Sequence, residues 1–278
     1  MKRLTAAMHP KVLADRSLAQ RLERAEAGAN ASFVEARAVL MPDSGATWIS
    51  VAGAYAFFDG PNSPCTQTFG LGLFEMPSAA DMGTIEEFFR SRGAPVFHEV
   101  SPLADKALLE LLHSRSYRPV ELTSVMYLPL VADVPALPAS EGPIRVRLAG
   151  KEESDLWART AVEGWSETTE FADGMFDLMR AATARQDPLS FLAEMEGRPV
   201  ATGALCLHER VALLAGASTV PASRRRGAQQ ALLHSRLEYA THAGCDLAMM
   251  CAEPGSASQR NAERHGFRIA YTRIKWGS

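Results

Sequence analysis

Apolar positions in the second half of the chain alternate with a period of two in short runs and then switch to helical spacing. Ile144–Leu148 alternates like a strand, and residues 151–164 and 171–185 read as two helices. Three strands follow at 189–196, 200–207 and 211–220. The turn signals Gly197-Arg198-Pro199 and His208-Glu209-Arg210 separate them, so they predict an antiparallel meander. Residues 228–242 are an unbroken run of helix formers, with Gly244 placed as the residue just past its end. A short apolar strand at 247–251, a polar helix at 256–265 closed by Gly266, and a strand at 267–276 complete this half.

The first half repeats part of that pattern. Up to about residue 30 it is polar, Ala-rich and helical, with Arg21, Arg24 and neighbouring glutamates on a solvated face. Strand-like runs at 31–41, 48–58 and 66–74 predict a second meander. They are followed by a helix (78–91), an apolar strand (96–100), a helix (104–115) and a strand (120–130). The segment Gly93-Ala-Pro-Val-Phe-His-Glu-Val-Ser-Pro102 parallels Gly244-Cys-Asp-Leu-Ala-Met-Met-Cys-Ala-Glu-Pro254: glycine, apolar strand, proline, then a helix. Those helices end at Ser116-Tyr117-Arg118 and Gly266-Phe267-Arg268, which points to an internal repeat of domain size. Residues 131–143 hold three prolines and little large apolar content, the composition of a semi-extended linker. The expected division is a domain at 1–135, a linker at 136–143 and a domain at 144–278.

Residues 218–233 concentrate the chemistry. Small and β-forming residues end at Pro221, then come Arg224, Arg225, Arg226 and Gly227, then the helix. Free amides at a helix start, together with the positive end of its dipole, favour an anion. Gly227 permits the close backbone approach of a phosphate nest. A basic triplet also suits an ordinary solvated turn, so the surroundings decide. Neither a Walker loop nor a three-glycine Rossmann fingerprint is present.

Read in order from Ile144, the elements run β-α-α-β-β-β-loop-α-β-α-β. With Glu196-Gly197-Arg198-Pro199-Val200, Val220-Pro221, Arg224-x-x-Gly227, Ala231-Leu232-Leu233 and Gly266-Phe267 in register, this half resembles the GCN5-related N-acetyltransferase (GNAT) superfamily. The resemblance implies an α/β (α+β) fold of two tandem GNAT-like domains, each a mostly antiparallel mixed sheet flanked by helices. It implies acetyl-CoA (coenzyme A) as cosubstrate and no metal. By position, Ser218, Thr219 and Val220 would line the pantetheine arm. Arg225, Arg226, Gly227, Ala228 and Gln229 would cradle the phosphates, while Arg224 would join them, pack or cap. Ser258 and Asn261, three residues apart on one helical face, are further cofactor-facing candidates. In the first half Glu75-Met76-Pro77 stands where the loop should be, without an arginine. That copy is expected to be degenerate, serving a structural role or contributing to an acceptor pocket.

The chain also departs from the family pattern. Gln229 replaces a usual Gly or Ala, Ala262 a frequent tyrosine, and Ala215-Gly216-Ala217-Ser218 carries no carboxylate base. Acyl transfer to an amine needs a neutral amine, a stabilised oxyanion and a proton for the thiolate. Glu167, Glu170, Glu253 and Tyr271 are the catalytic candidates, each balanced against a solvated surface role. Gly164-Trp-Ser-Glu-Thr-Thr-Glu-Phe171 would wall the acceptor pocket, where Trp165, Phe171 and two carboxylates suit a small amine with an apolar body. Trp157 and Trp165 could equally be core. The expected activity is N-acetylation of a primary amine by direct transfer; the alternative is a non-catalytic acyl-CoA-binding module.

Composition narrows the class. A net charge of −3 and 47% hydrophobic residues describe a globular chain without a basic field for nucleic acid, so no nucleic-acid partner is expected. No apolar run approaches the roughly 20 residues that span a bilayer, and no signal pattern opens the chain, so no membrane partner is expected either. Cys65, Cys206, Cys245 and Cys251 lack metal-ligand spacing and read as reduced thiols of a cytoplasmic protein. Cys251 could be a nucleophile or simple packing, and His208 is expected to be exposed and idle.

Overall fold

The computed structural model describes residues 12–130, 143–166, 174–186 and 188–278. Seven helices and eleven strands are found among them: α1 (Arg16–Leu40), β1 (Thr47–Val51), β2 (Ala54–Phe58), β3 (Gln67–Phe69), α2 (Ala79–Arg90), β4 (Phe97–Val100), α3 (Ala107–Ser114) and β5 (Arg118–Pro129) in the first half. The second half carries β6 (Ile144–Leu148), α4 (Ser154–Trp165), α5 (Met175–Thr183), β7 (Leu189–Met195), β8 (Arg198–His208), β9 (Val211–Thr219), α6 (Ala228–His242), β10 (Leu247–Ala252), α7 (Ala257–Arg264) and β11 (Arg268–Gly277).

The predicted elements of the second half are all found, and α6 matches its expected span. The first half differs in three places. Residues 31–41 are not a strand but the last turns of α1, where Ala27, Ala31 and Val34 are buried at helical spacing. The Phe33-Val34 pair favours a strand locally, but packing of that stripe against Phe57, Phe69 and α5 outweighs it. The run 48–58 is a hairpin, turned at Ala52 and Gly53, both at positive φ. Only Gln67–Phe69 of the run 66–74 is strand. Beyond it, Leu71 and Leu73 are fully buried and fill the space at the end of β3.

All eleven strands form one sheet, in the order β1-β2-β3-β4-β11-β5-β10-β9-β8-β7-β6. The halves exchange their last strands. β5 pairs with β10, β11 pairs with β4, and the two exchanged strands pair with each other antiparallel. Around this centre, β3 runs parallel to β4 as β9 does to β10, so the repeat read from sequence has a structural counterpart. Alternate positions assign the faces. Val100, Ile274, Leu122 and Met126 point to the face carrying α2, α3, α6 and α7. Glu99, Arg273 and Val125 point to the face of α1, where α4 and α5 also pack. No helix among the described residues is long and apolar enough to cross a membrane.

Candidate cofactor cleft and active site

Two features of the sheet open the site. β9 and β10 pair only through Val211–Leu213 and Leu247–Met249, after which both continue apart. At the end of β9 the chain makes a short turn at Pro221–Ser223, passes Arg224 in extended conformation, and enters α6 at Gly227. Arg225 (φ +61°) and Gly227 (φ +91°) both lie in the left-handed region, which bends the backbone around a concave surface. Among the described residues no side chain caps α6, and the amides of Ala228, Gln229 and Gln230, which lack helical carbonyls, present the positive helix end. These elements and the end of α4 enclose a cleft of about 630 Å3.

The walls are fixed by specific bonds. Gln229 Nε2 donates to Thr219 Oγ1 at 2.7 Å, tying the first turn of α6 to β9. Ser218 Oγ donates to the Ala161 carbonyl at 3.1 Å and lies 3.0 Å from Thr202 Oγ1. Arg224 donates to the Gly164 carbonyl at 3.2 Å and to the Thr219 carbonyl at 3.4 Å. Its guanidinium therefore caps the last turn of α4, the capping alternative of the sequence reading. Arg225 and Arg226 are exposed.

Of the expected cofactor residues, Ser218, Thr219, Arg224, Arg225, Gly227, Ala228, Gln229 and Asn261 line the cleft. Val220, Arg226 and Ser258 do not. The Val220 amide is engaged by the Val200 carbonyl at 2.9 Å, and Ser258 is exposed although it shares a helical face with Asn261. Gly164, Trp165, Ala217, Ser223 and Gln230 also line it. Their signal was adjacency: Ser223 and Gln230 lie inside the segment 218–233, and Gly164 and Trp165 begin the expected acceptor loop.

The catalytic candidates do not converge. Glu167, Glu170 and Phe171 lie outside the described residues. Glu253 is exposed and does not line the cleft. Tyr271 is on the α1 face of β11, where its hydroxyl donates to Glu23 Oε1 at 2.9 Å and burial pushes its pKa well up. It belongs to a buried charge cluster centred on Arg273, which reaches Glu23, Glu26 and Glu99 at 2.7–3.3 Å. Burial there raises the Glu23 carboxyl to about 7. Cys251 joins the same cluster, with Sγ 3.4 Å from Glu26 Oε2, and its thiol is pushed well above the usual range, chiefly by burial. This half-buried place beside carboxylates favours the neutral thiol and the packing alternative for Cys251. Ala262 is buried in the core between α6 and α7. His208 is half-buried instead of exposed, its ring pressed against α1 at Gly28. Among the described residues, those lining the cleft include no carboxylate, tyrosine, histidine or cysteine.

Residues 154–267 match the model of the Acetyltransferase (GNAT) family. No curated protein matches the chain in sequence. Solved structures of the same fold include a GCN5-related N-acetyltransferase from Kribbella flavida, with TM-score 0.65 and 18% identity over 94% of this chain and 95% of that one. A GCN5-related N-acetyltransferase from Sphaerobacter thermophilus aligns with TM-score 0.57 and 20% identity, over 81% of this chain and 76% of its own. A tandem GNAT protein from the clavulanic acid biosynthesis pathway aligns with TM-score 0.58 and 12% identity, over 82% and 78%.

Proposed function

We propose that the chain, whose residues 154–267 match the model of the Acetyltransferase (GNAT) family, moves an acetyl group from acetyl-CoA to a primary amine of a small acceptor by direct transfer. The observation that carries the reading is the cleft between the end of β9 and the start of α6. Its open amides and flanking Arg225 suit a pyrophosphate, and the wall that Ala217–Thr219 of β9 form where β9 and β10 part suits an extended pantetheine arm. In this reading Thr219 and the Gln229 side chain form one wall, and Trp165 stands at the acceptor side. The first half, residues 1–135, serves as a degenerate GNAT-like domain, and 144–278 as the competent one. At the position corresponding to the cleft, the first half has buried Leu71 and Leu73, and Ser78 and Asp81 close a capping box on α2. Both features argue against an anion site there. Four free cysteines fit a cytoplasmic setting.

A second reading has its own support. The absence of a carboxylate, tyrosine, histidine or cysteine among the described lining residues suits an acyl-CoA-binding module that performs no transfer. The two readings separate on whether an amine accelerates CoA release from acetyl-CoA.

Calorimetry with acetyl-CoA tests the parent reading. The native chain is expected to bind at micromolar level, and Arg225→Ala/Arg226→Ala to bind about 10- to 100-fold more weakly, as loss of charge-assisted phosphate contacts predicts. No binding by the native chain would overturn both readings.

A further inference from the structure

Arg236 is a cation that the protein buries and that no carboxylate of the described residues neutralises. It lies on the inner face of α6 and is 3% exposed. Its Nη1 donates to the carbonyls of Ala204 (3.1 Å) and Ala215 (3.3 Å), and its Nε to that of Leu232 (3.2 Å). Among the described residues no carboxylate pairs with it. β8 is bare of side chain at the contact, since a Cβ on Gly203 would stand 3.0 Å from the guanidinium carbon. The other deeply buried arginine, Arg273, holds three carboxylates. An unpaired buried charge costs stability where an apolar side chain of the same length would not. Burial accordingly pushes the Arg236 pKa down, to about 10, which leaves the group charged at neutral pH.

Its location ties this charge to the cleft. Pairing between β8 and β9 jumps from Thr202/Ser218 to Ala204/Ala215, so Gly216 and Ala217 form a bulge, with Gly216 at φ +57°. Ala217 lines the cleft. The Ala215 carbonyl points at Arg236. The peptide is trans, so the Gly216 amide points the opposite way, away from the guanidinium. Polarising one end of a peptide strengthens the donor at the other.

We propose that Arg236 is a positioning residue for the wall of the cleft at the β9 bulge, holding the Ala215–Gly216 peptide in place and lending a positive field to the negative charge of a CoA thiolate or of the oxyanion formed from the thioester. The proposal rests on the acetyl-CoA reading. In the transfer, the amine nitrogen bonds to the acetyl carbon and the C–S bond breaks with its electron pair on sulfur. The ammonium proton passes to solvent, from which the CoA sulfur is reprotonated. Arg236 exchanges no proton; it favours the anionic sulfur and the oxyanion that precede reprotonation. This supplies part of what a missing tyrosine would otherwise do at the departing thiolate.

The test needs no acceptor. Coenzyme A is titrated while bound, its thiolate followed by ultraviolet absorbance, on the native chain and on Arg236→Met, Arg236→Gln and Arg236→Lys. The bound thiol is expected to ionise about one pH unit or more lower on the native chain than on Arg236→Met, as removal of one nearby buried charge predicts. Arg236→Lys should recover part of the shift. Arg236→Met should melt at or above the native temperature, and acetyl-CoA, which has no ionisable sulfur, should lose far less affinity than the CoA thiolate. Equal thiol titration on native and Met variants would overturn the inference while leaving the parent reading intact. It also falls if both neutral variants fail to fold while Arg236→Lys folds, because the charge then serves the fold. A native chain that binds neither CoA nor acetyl-CoA overturns both.

Discussion

Gly164 leaves no room for a side chain. A Cβ there would stand 2.4 Å from Ser218 Oγ and 2.9 Å from the Thr219 amide nitrogen, and the second of these is backbone that cannot rotate away. The last turn of α4 therefore rests directly on β9, held by Ser218 at Ala161 and by Arg224 at Gly164 itself. Gly164→Ala is expected to cost about 1–3 kcal/mol of unfolding free energy, the range for overpacking a close contact. Equilibrium denaturation checks it. The same substitution should displace neighbouring Trp165 and so change its fluorescence. An unchanged denaturation midpoint would mean that α4 can lift from β9 freely.

At the level of elements, α1 is attached to the sheet by charge as well as by its apolar stripe. Glu23 and Glu26 meet Arg273 of β11, which also meets Glu99 of β4, and Lys275 stands 3.5 Å from Glu99. The Glu23 carboxyl, raised from 4.5 to about 7 chiefly by burial, contributes stability that is fully present below pH 4.5 and lost as pH rises through about 7. On the opposite face of β4, His98 is fully buried without a hydrogen-bond partner among the described residues, and burial lowers it from 6.5 to about 3. Its contribution is present above pH 6.5 and lost as pH falls through about 3. Between pH 4.5 and 6.5 the two slopes oppose each other, so the melting temperature should be highest and flattest there, falling on both sides. Calorimetric melting across pH is the measurement. His98→Phe should flatten the acid arm, and Glu23→Gln the arm approaching neutrality.

For the whole molecule, the exchange of β5 and β11 makes each half depend on the other. β10 takes β5 as its antiparallel partner, and β11 sits between β4 and β5. Residues 144–278 expressed alone would leave β10 without that partner and β11 unpaired on both sides, an exposed edge of the kind that drives self-association. That fragment is expected to elute as aggregate or oligomer by size exclusion with light scattering. Co-expression with residues 1–130 should restore a one-to-one complex. A monomeric, cooperatively melting fragment would show that β11 can return to β10 at little cost.

The period-two and period-3.6 runs, the turn residues and the Arg224–Gly227 loop were readable along the chain because each depends on neighbours within one or two turns. That local grammar was enough for every element of the second half, for the repeat, and for most of the residues around the cleft. It misread residues 31–41, where Phe33 and Val34 favour a strand in isolation but bury a helical stripe against partners far away in sequence. It placed Tyr271 among the catalytic candidates because the pairing of β11 with the other half has no sequence signature; that pairing turns Tyr271 toward α1. The unneutralised charge of Arg236 was equally invisible. An arginine on a helix reads as solvated until the tertiary structure shows which side faces the sheet, and that only carbonyls wait there. Local chemistry determined the elements and the loop, whereas strand partners and burial, set by long-range packing, decided which side chains share a site.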